Sequence, residues 1–279
     1  MAIITISRGS YSRGKEVAEA LAQRLNYSCV SRGILLEASE EFSIPEIKLL
    51  KALRDAPSVL DRLTHGKERY ISYIRSTFYN HMVKDNIVYH GLAGHFFLQN
   101  IGHAFKVRIN ARMEDRIRLE MEREKCSEDE ARTALKKADE DRRQWSLYLY
   151  GKDTCNCDLY DMVLSIDSMT VEDAVDILAG VVEKGRYDAT PESVELLREQ
   201  ALLANIHAQI VNFSPETTVD IHDGVVTLSN LDGGLSNDEE IRRQTTNRLV
   251  RSFGLKDVVF DESLKAKKDY VNTFYNLDL

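Results

Sequence analysis

The chain has 279 residues, of which 43% are hydrophobic and 29% charged, and its formal net charge is −8. An acidic chain argues against general nucleic-acid binding, which needs a basic face. No apolar run approaches the roughly 18 residues of a transmembrane segment, no signal-peptide pattern is present, and four scattered cysteines do not make a disulfide framework. We therefore expect a cytoplasmic protein, long enough for two domains.

The first predicted elements are a strand, a loop and a helix. Ile3 to Ile6 form a β-branched run, and apolar residues recur at helical spacing from Val17 to Leu25. The loop between them has the spacing of a phosphate-binding loop, with a glycine at each end and a lysine directly after the second. Backbone N–H groups, a helix N-terminus and an ammonium group would bind a polyanion there. The predicted binding residues are Gly9, Ser10, Tyr11, Ser12, Arg13, Gly14, Lys15 and Glu16.

Two features of this loop depart from the general motif. Glu16 stands where a serine or threonine hydroxyl normally contacts Mg²⁺, and Tyr11 and Arg13 make the loop bulkier than a glycine-rich turn. A carboxylate reaches the metal only with a different geometry or through water, so the metal ligands stay unknown. The alternative interpretation is a surface turn with incidental basic residues.

Strands and helices alternate after the loop. The pattern predicts strands at 27–30, 86–91, 105–109 and 161–167, and helices that include 34–41, 113–124 and 171–184. Residues 42–85 look helical throughout. This alternation favours an α/β fold with a doubly wound parallel sheet. Arg32, at a strand-to-helix junction, would then lie at the same sheet edge as the loop, although a solvated arginine fits the position equally well.

A charged helix is predicted from Ser127 to about Tyr150, with Ser127 and Glu130 as a capping box. The plain interpretation of its charges is a solvated surface. The functional interpretation is a helical lid whose arginines, Arg142 and Arg143 among them, neutralise transferring phosphates.

A different succession of predicted elements begins beyond Gly185. The pattern predicts a helix at 193–213, a hairpin with an Asp-Gly turn at 217–228, a helix at 237–251 and a strand at 257–260. This order describes a small α+β domain with the succession α-β-β-α-β. We expect domains at 1–186 and 193–264, followed by a tail at 265–279.

The first domain resembles the cytidylate kinase-like family, a P-loop branch of the nucleoside monophosphate kinases. The resemblance is carried by ITISRGSYSRGKEVAEALAQRL, VSRGILLEAS, VYHGLAGHFFLQ, FKVRINARMEDRI, CSEDEARTALKKADEDRRQW and DLYDMVLSID, in collinear order. It implies ATP and Mg²⁺ as cofactors, with Gly9 to Lys15 on the β-phosphate. It also implies catalytic roles for Lys15, Arg142 and Arg143, and substrate binding by Arg8 and Arg32. Leu92 stands where the family has an arginine that engages the acceptor.

The second domain resembles a BON domain, on the hairpin DGVVTLSN and the ending GLKDVVF. The resemblance implies a small-molecule or lipid ligand, and the lack of an export signal favours a regulatory or assembly module. The alternative is an appendage that only packs on the first domain.

Three hypotheses for function follow. The leading one is an ATP-dependent phosphotransferase that moves the γ-phosphate to a small acceptor, most simply a nucleoside monophosphate such as CMP or dCMP. The second is a catalytically weak or inactive nucleotide-binding regulator, whose BON-like domain senses a ligand or mediates assembly. The third is an interaction protein with a vestigial site. Assembly into a homo-oligomer stays open.

Overall fold

A computed structural model describes residues 2–10, 12–31, 33–44, 66–91, 94–167 and 169–263. These residues form two compact units. The first contains the described residues within 2–36 and 81–195, and the second contains those within 37–80 and 196–263.

A five-stranded parallel sheet is the centre of the first unit. Its order is β2-β3-β1-β4-β5, so β1 lies between β3 and β4, which come much later in the chain. Parallel strands in crossover order have their carboxyl ends at one edge, where ligands gather in α/β proteins. The predicted parallel α/β fold is confirmed. The strands are β1 (Ile3–Arg8), β2 (Ser28–Val30), β3 (Ile87–His90), β4 (Ala104–Asn110) and β5 (Met162–Ser165).

Helices cover this sheet because each carries an apolar stripe. Val17 and Leu21 of α1 pack with Leu178 of α7 on the strand residues Ile4 and Val107, all fully buried. Two capping boxes begin α6 and α7, and the one at Ser127 confirms the prediction. The helices that lie wholly in this unit are α1 (Gly14–Leu25), α4 (Gly94–Phe97), α5 (Met113–Glu124), α6 (Glu128–Tyr150) and α7 (Val171–Val182).

Three further helices contribute residues to both units. They are α2 (Gly33–Glu41), α3 (Gly66–Met82) and α8 (Pro191–Ile210). Among the described helices, none combines the length and the apolar character that crossing a membrane requires.

A three-stranded sheet forms the second unit with helices on one face. Strand β6 (Thr218–His222) pairs antiparallel with β7 (Val225–Ser229), which pairs parallel with β8 (Asp257–Phe260). The hairpin turn is the predicted Asp223-Gly224, and both residues have positive φ, of 51° and 80°. The core joins the sheet to α8 and to two more helices, α9 (Gly233–Asn237) and α10 (Glu239–Phe253).

The second unit also contains residues 66–80 of α3, which the sequence assigned to the first domain. Side-chain hydrogen bonds join α3 to residues 205–212, and we call this set the polar seam. It comprises Ser72 Oγ with His207 Nδ1 at 2.7 Å, Ser76 with Asn205 at 2.5 Å, Asn205 with Asn80 at 2.9 Å, Tyr73 with Asn212 at 2.7 Å and Arg69 with Asn212 at 2.6 Å. The boundaries 1–186 and 193–264 stay predictions, and α3 is the segment that they would separate from its partners.

Candidate functional site

The loop after β1 lies at the carboxyl edge of the parallel sheet and is held there by its own backbone. The N–H of Gly9 donates to the carbonyl of Ile109 in β4 at 3.4 Å. The buried hydroxyl of Ser12 donates back to the carbonyl of Gly9 at 3.0 Å. Ser12 therefore shapes the loop from inside, and its hydroxyl is engaged by the chain itself.

Arg13 closes the loop in a left-handed conformation, with φ 59°, that is costly for a residue with a side chain. Its guanidinium donates to the Glu16 carboxylate from Nε at 3.0 Å and from Nη2 at 2.7 Å. The N-cap residue of α1, Arg13, makes no side-chain cap hydrogen bond, in contrast to the N-cap residues of α6 and α7, which form capping boxes. The start of α1 therefore keeps the partial positive charge that favours an anion.

Arg8 packs directly against Gly14, which explains the second glycine of the motif. A Cβ at position 14 would lie 2.8 Å from Cβ and 3.1 Å from Cδ of Arg8. Burial lowers the pKa of Arg8, and the charge of Glu19 acts in the opposite direction. Among the described residues, no carboxylate forms an ion pair with Arg8. Its guanidinium therefore remains a candidate phosphate ligand.

Arg116 of α5 lies over the loop and is 8% exposed. Its Nε donates to the carbonyl of Ser10 at 2.7 Å, and its Nη2 donates to Oδ2 of Asp139 at 2.7 Å. A Cβ on Gly9 would lie 3.7 Å from the guanidinium carbon, an ordinary van der Waals distance, so Arg116 packs directly on this glycine without requiring it. Arg116 thus links the loop to Asp139 of α6.

Arg142 of α6 shares the same carboxylate. Its Nη1 lies 3.6 Å from Oδ1 of Asp139, is buried, and has no hydrogen-bond partner among the described residues. Burial lowers the pKa of Arg142, Asp139 opposes this shift, and the charges of Arg8, Arg116 and Arg108 add to it. A buried N–H without an acceptor is costly, and a phosphate oxygen would satisfy it.

We call Arg8, Arg108, Arg116 and Arg142 the arginine cluster. In the described part of the chain, Asp139 is the carboxylate that pairs with its members. Four guanidinium groups with a single paired carboxylate among the described residues leave an excess of positive charge beside the predicted phosphate-binding loop. The arrangement can bind a polyanion and neutralise charge that develops on it.

Arg108 is held in the cluster by uncharged groups. Its Nη1 donates to the carbonyl of Thr154 at 2.9 Å and contacts the hydroxyl of Tyr160 at 3.3 Å. The same hydroxyl lies 3.2 Å from Oγ of Ser7 and 3.3 Å from Nε2 of His95. Tyr160 therefore joins β1, α4 and the segment after α6 beneath the site.

The structure separates the two arginines predicted as lid residues. Arg142 lies in the arginine cluster, whereas Arg143 bonds Asp153 at 2.7 Å and Glu140 at 3.3 Å and is about 41% exposed. The pKa of Arg143 is raised, chiefly by its hydrogen bond to Asp153.

Lys15 is exposed and forms an ion pair with Glu19 at 3.6 Å. Glu16 is engaged by Arg13. Tyr11, Arg32 and Leu92, three positions on which the sequence interpretation also depends, lie outside the described residues.

Sequence reasoning missed Arg108, Arg116 and Asp139. Arg116 was visible only as part of an amphipathic helix, and Asp139 as one charge among many. A usable signal was that Arg108 and Arg116 flank the carboxyl end of a predicted parallel strand, where ligand-binding residues gather.

In the part of the chain that the structure describes, no dedicated set of metal ligands is present. The described residues contain no group of three or more His, Cys, Asp or Glu side chains placed to hold one. Two acidic residues of the site, Glu16 and Asp139, are already engaged by arginines. A Mg²⁺ ion here would depend on phosphate oxygens and water, as this ion commonly does.

Residues 3–168 match the profile of the Cytidylate kinase-like family, which is more than half of the chain. A cytidylate kinase from Sulfolobus acidocaldarius is 24% identical over 182 residues, or 65% of this chain and 94% of that protein.

Among solved structures, an uncharacterized protein from Eubacterium ventriosum ATCC 27560 is similar in fold, with a TM-score of 0.50 and 20% identity over 66% of this chain and 99% of that one. A shikimate kinase from Bacteroides thetaiotaomicron gives a TM-score of 0.42 and 14% identity, over 65% of this chain and 98% of that one.

Proposed function

Because the chain belongs to the cytidylate kinase-like family, we propose that it is an ATP-dependent phosphotransferase that moves the γ-phosphate to a small acceptor. The acceptor is most simply a nucleoside monophosphate such as CMP or dCMP. The observation that carries the proposal is Arg142, whose buried Nη1 has no hydrogen-bond partner among the described residues and belongs to a cluster of four arginines beside the predicted phosphate loop.

Phosphoryl transfer needs the features that this cluster supplies. The transition state spreads negative charge over the phosphoryl oxygens, and catalysis comes mainly from positioning and charge neutralisation. A phosphate acceptor is already anionic, so the reaction does not need a strong base. In this proposal Arg142 and Arg116 neutralise the transferring group, and Arg143 is a second lid arginine once its surface ion pairs open.

ATP would lie along the loop from Gly9 to Glu16, with its phosphates at the uncapped start of α1. Lys15 would leave Glu19 to reach them, at small cost, because exposed ion pairs contribute about 0–1 kcal/mol. Mg²⁺, held by phosphates and water, would supply further charge neutralisation. Arg8 and Arg32 would bind the acceptor phosphate. Arg8 is suited to this role because it lies beside Gly14 and has no ion-pair partner among the described residues.

A second candidate function is a nucleotide-sensing regulator without efficient transfer. It is favoured by the second unit, which contains residues 66–80 from within the family-matched segment 3–168. The second unit would be BON-like and would sense a small-molecule or lipid ligand, or mediate assembly into a homo-oligomer. For either function we propose a cytoplasmic location, in keeping with nucleotide substrates.

A coupled assay of ADP release across nucleoside monophosphates tests the first proposal. The expected result is Mg²⁺-dependent turnover with one or a few acceptors, reduced strongly in Lys15→Ala. A folded protein that turns over no acceptor would exclude the phosphotransferase. ATP binding by calorimetry without turnover would then favour the regulator.

A further inference from the structure

His90 ends strand β3 at the carboxyl edge of the parallel sheet. It is 4% exposed and pairs in register with Ile6 of β1. Ile6 precedes Arg8 by two positions in the same strand. Its Nδ1 is buried and has no hydrogen-bond partner among the described residues. A buried ring nitrogen left without a partner destabilises the protein, and a ligand bound at the phosphate loop could supply the missing partner.

The charges that act on His90 come from two elements of the candidate site. They are Arg8 of β1 and Lys15 of α1, and Lys15 in turn pairs with Glu19. Burial, and then these two cations, lower the pKa of His90 to about 4. The imidazole is therefore neutral at physiological pH and still able to form a hydrogen bond beside two cationic groups.

Three other enclosed histidines have partners. His95 lies 3.3 Å from the hydroxyl of Tyr160, His103 lies 2.8 Å from Oγ of Ser193, and His207 bonds Ser72. His90 thus differs from the other buried histidines in the described part of the chain, and it is the one that lies at the phosphate-loop edge.

We propose that His90 is a ligand-binding residue that gives a neutral hydrogen bond to the phosphate group placed between Arg8 and Lys15. The inference rests on the proposed function, since it assumes that a nucleotide binds at this loop. The attraction between a phosphate and two cations depends little on orientation. A hydrogen bond from a neutral imidazole is directional, so it would fix the orientation of the phosphate. The phosphate belongs either to the ATP side or to a monophosphate acceptor, and the two sources can be separated.

The test measures dissociation constants for ADP and for CMP by calorimetry. His90→Leu removes the polar nitrogen with little change of volume, whereas His90→Asn keeps a polar atom near the position of Nδ1. We expect His90→Leu to weaken one of the two ligands about tenfold, and His90→Asn to stay within about threefold of wild type. Weakened ADP places His90 on the donor side, and weakened CMP places it on the acceptor side.

A matched control is His103→Leu. His103 is equally buried, but its carbonyl bonds the N–H of Ile3 at the opposite end of β1. This variant loses a hydrogen bond to Ser193 and should be less stable, with both dissociation constants unchanged.

Equal affinities of folded His90→Leu and wild type for both ligands would overturn the proposal. If the His90 variants do not fold, the assigned imidazole signal of His90 in wild-type protein replaces them, and a signal that neither ADP nor CMP moves overturns it. The proposed function fails differently, through absent phosphoryl transfer with binding intact. A wild-type protein that binds neither ligand would remove both proposals.

Discussion

Asp139 joins two arginines that come from different helices. Its Oδ2 accepts a hydrogen bond from Nη2 of Arg116 at 2.7 Å, and its Oδ1 lies 3.6 Å from Nη1 of Arg142. One carboxylate thus orients Arg116 fully and Arg142 only in part. Arg116 is already oriented by two hydrogen bonds without ligand, whereas the buried Nη1 of Arg142 has no hydrogen-bond partner among the described residues.

Asp139→Asn should make stability depend strongly on nucleotide. The substitution removes the charge that offsets two arginines, and we expect a loss of about 1–2 kcal/mol, moderated because Asp139 is partly exposed. Bound ADP would replace the missing negative charge, so the loss should shrink when ADP is present. Urea unfolding with and without ADP measures this. An equal loss in both conditions would contradict an anion site at the cluster.

Arg142→Leu and Arg143→Leu should differ in activity. Removing a transition-state contact typically costs about 10²–10³ in kcat, and we expect this for Arg142. For Arg143, whose guanidinium bonds Asp153 and Glu140, we expect a change of less than about tenfold. Steady-state kinetics with the best acceptor gives kcat for both variants, and thermal unfolding checks that both are folded. The reverse order of effects would show that the lid rearranges around Arg143.

Gly14→Ala should displace Arg8. The new Cβ would meet Cβ of Arg8 at 2.8 Å, close to the main chain, where a side-chain rotation cannot relieve the contact. We expect a stability loss of about 1–3 kcal/mol and at least tenfold weaker ADP binding. Gly180→Ala in α7 is the matched control, because nothing lies within 4 Å of its added Cβ. It should leave affinity unchanged and raise stability by up to about 1 kcal/mol.

Asn205→Ala tests the polar seam. It leaves the buried Ser76 and the half-buried Asn80 without the amide that both contact, and a buried group deprived of its partner costs about 1–3 kcal/mol. Asn247→Ala, at an exposed position of α10, should stay within about 0.5 kcal/mol of wild type. Chemical denaturation of both variants gives the comparison. Matching stabilities would mean that the seam contributes nothing.

Stability should fall in mild acid. Burial lowers the pKa of His95 and of His207 to about 3, against an ordinary value of 6.5. The unfolded chain takes up protons below pH 6.5 while the folded chain does not, so stability decreases as pH falls from about 6.5 towards 3. Each histidine contributes up to about 1.4 kcal/mol per pH unit. His207→Gln should reduce the slope of unfolding free energy near pH 5 by about this amount, and an unchanged slope would contradict it.

Much of the fold could be predicted from local sequence. The Asp223-Gly224 hairpin and the capping box at Ser127 depend on neighbouring residues, so periodicity and turn chemistry are enough to find them. Helix α5 was predicted with its observed bounds for the same reason.

The sequence predicts the candidate site only where its residues are consecutive in the chain. Gly9 to Glu16 form one loop, but Asp139 acts through Arg116, which lies 23 positions earlier. The pairing of α3 with residues 205–212 likewise depends on contacts more than 120 positions apart, which periodicity cannot reveal.

The polar seam limits where this chain can be truncated. A stop codon after residue 186 would delete the whole 205–212 side of the seam. Ser72, Tyr73 and Ser76 of α3 would lose their hydrogen bonds there, while Tyr73 would keep its stacking contact with Phe42. A fragment that ends before residue 196 would therefore need other contacts to hold residues 66–80 of α3 in place.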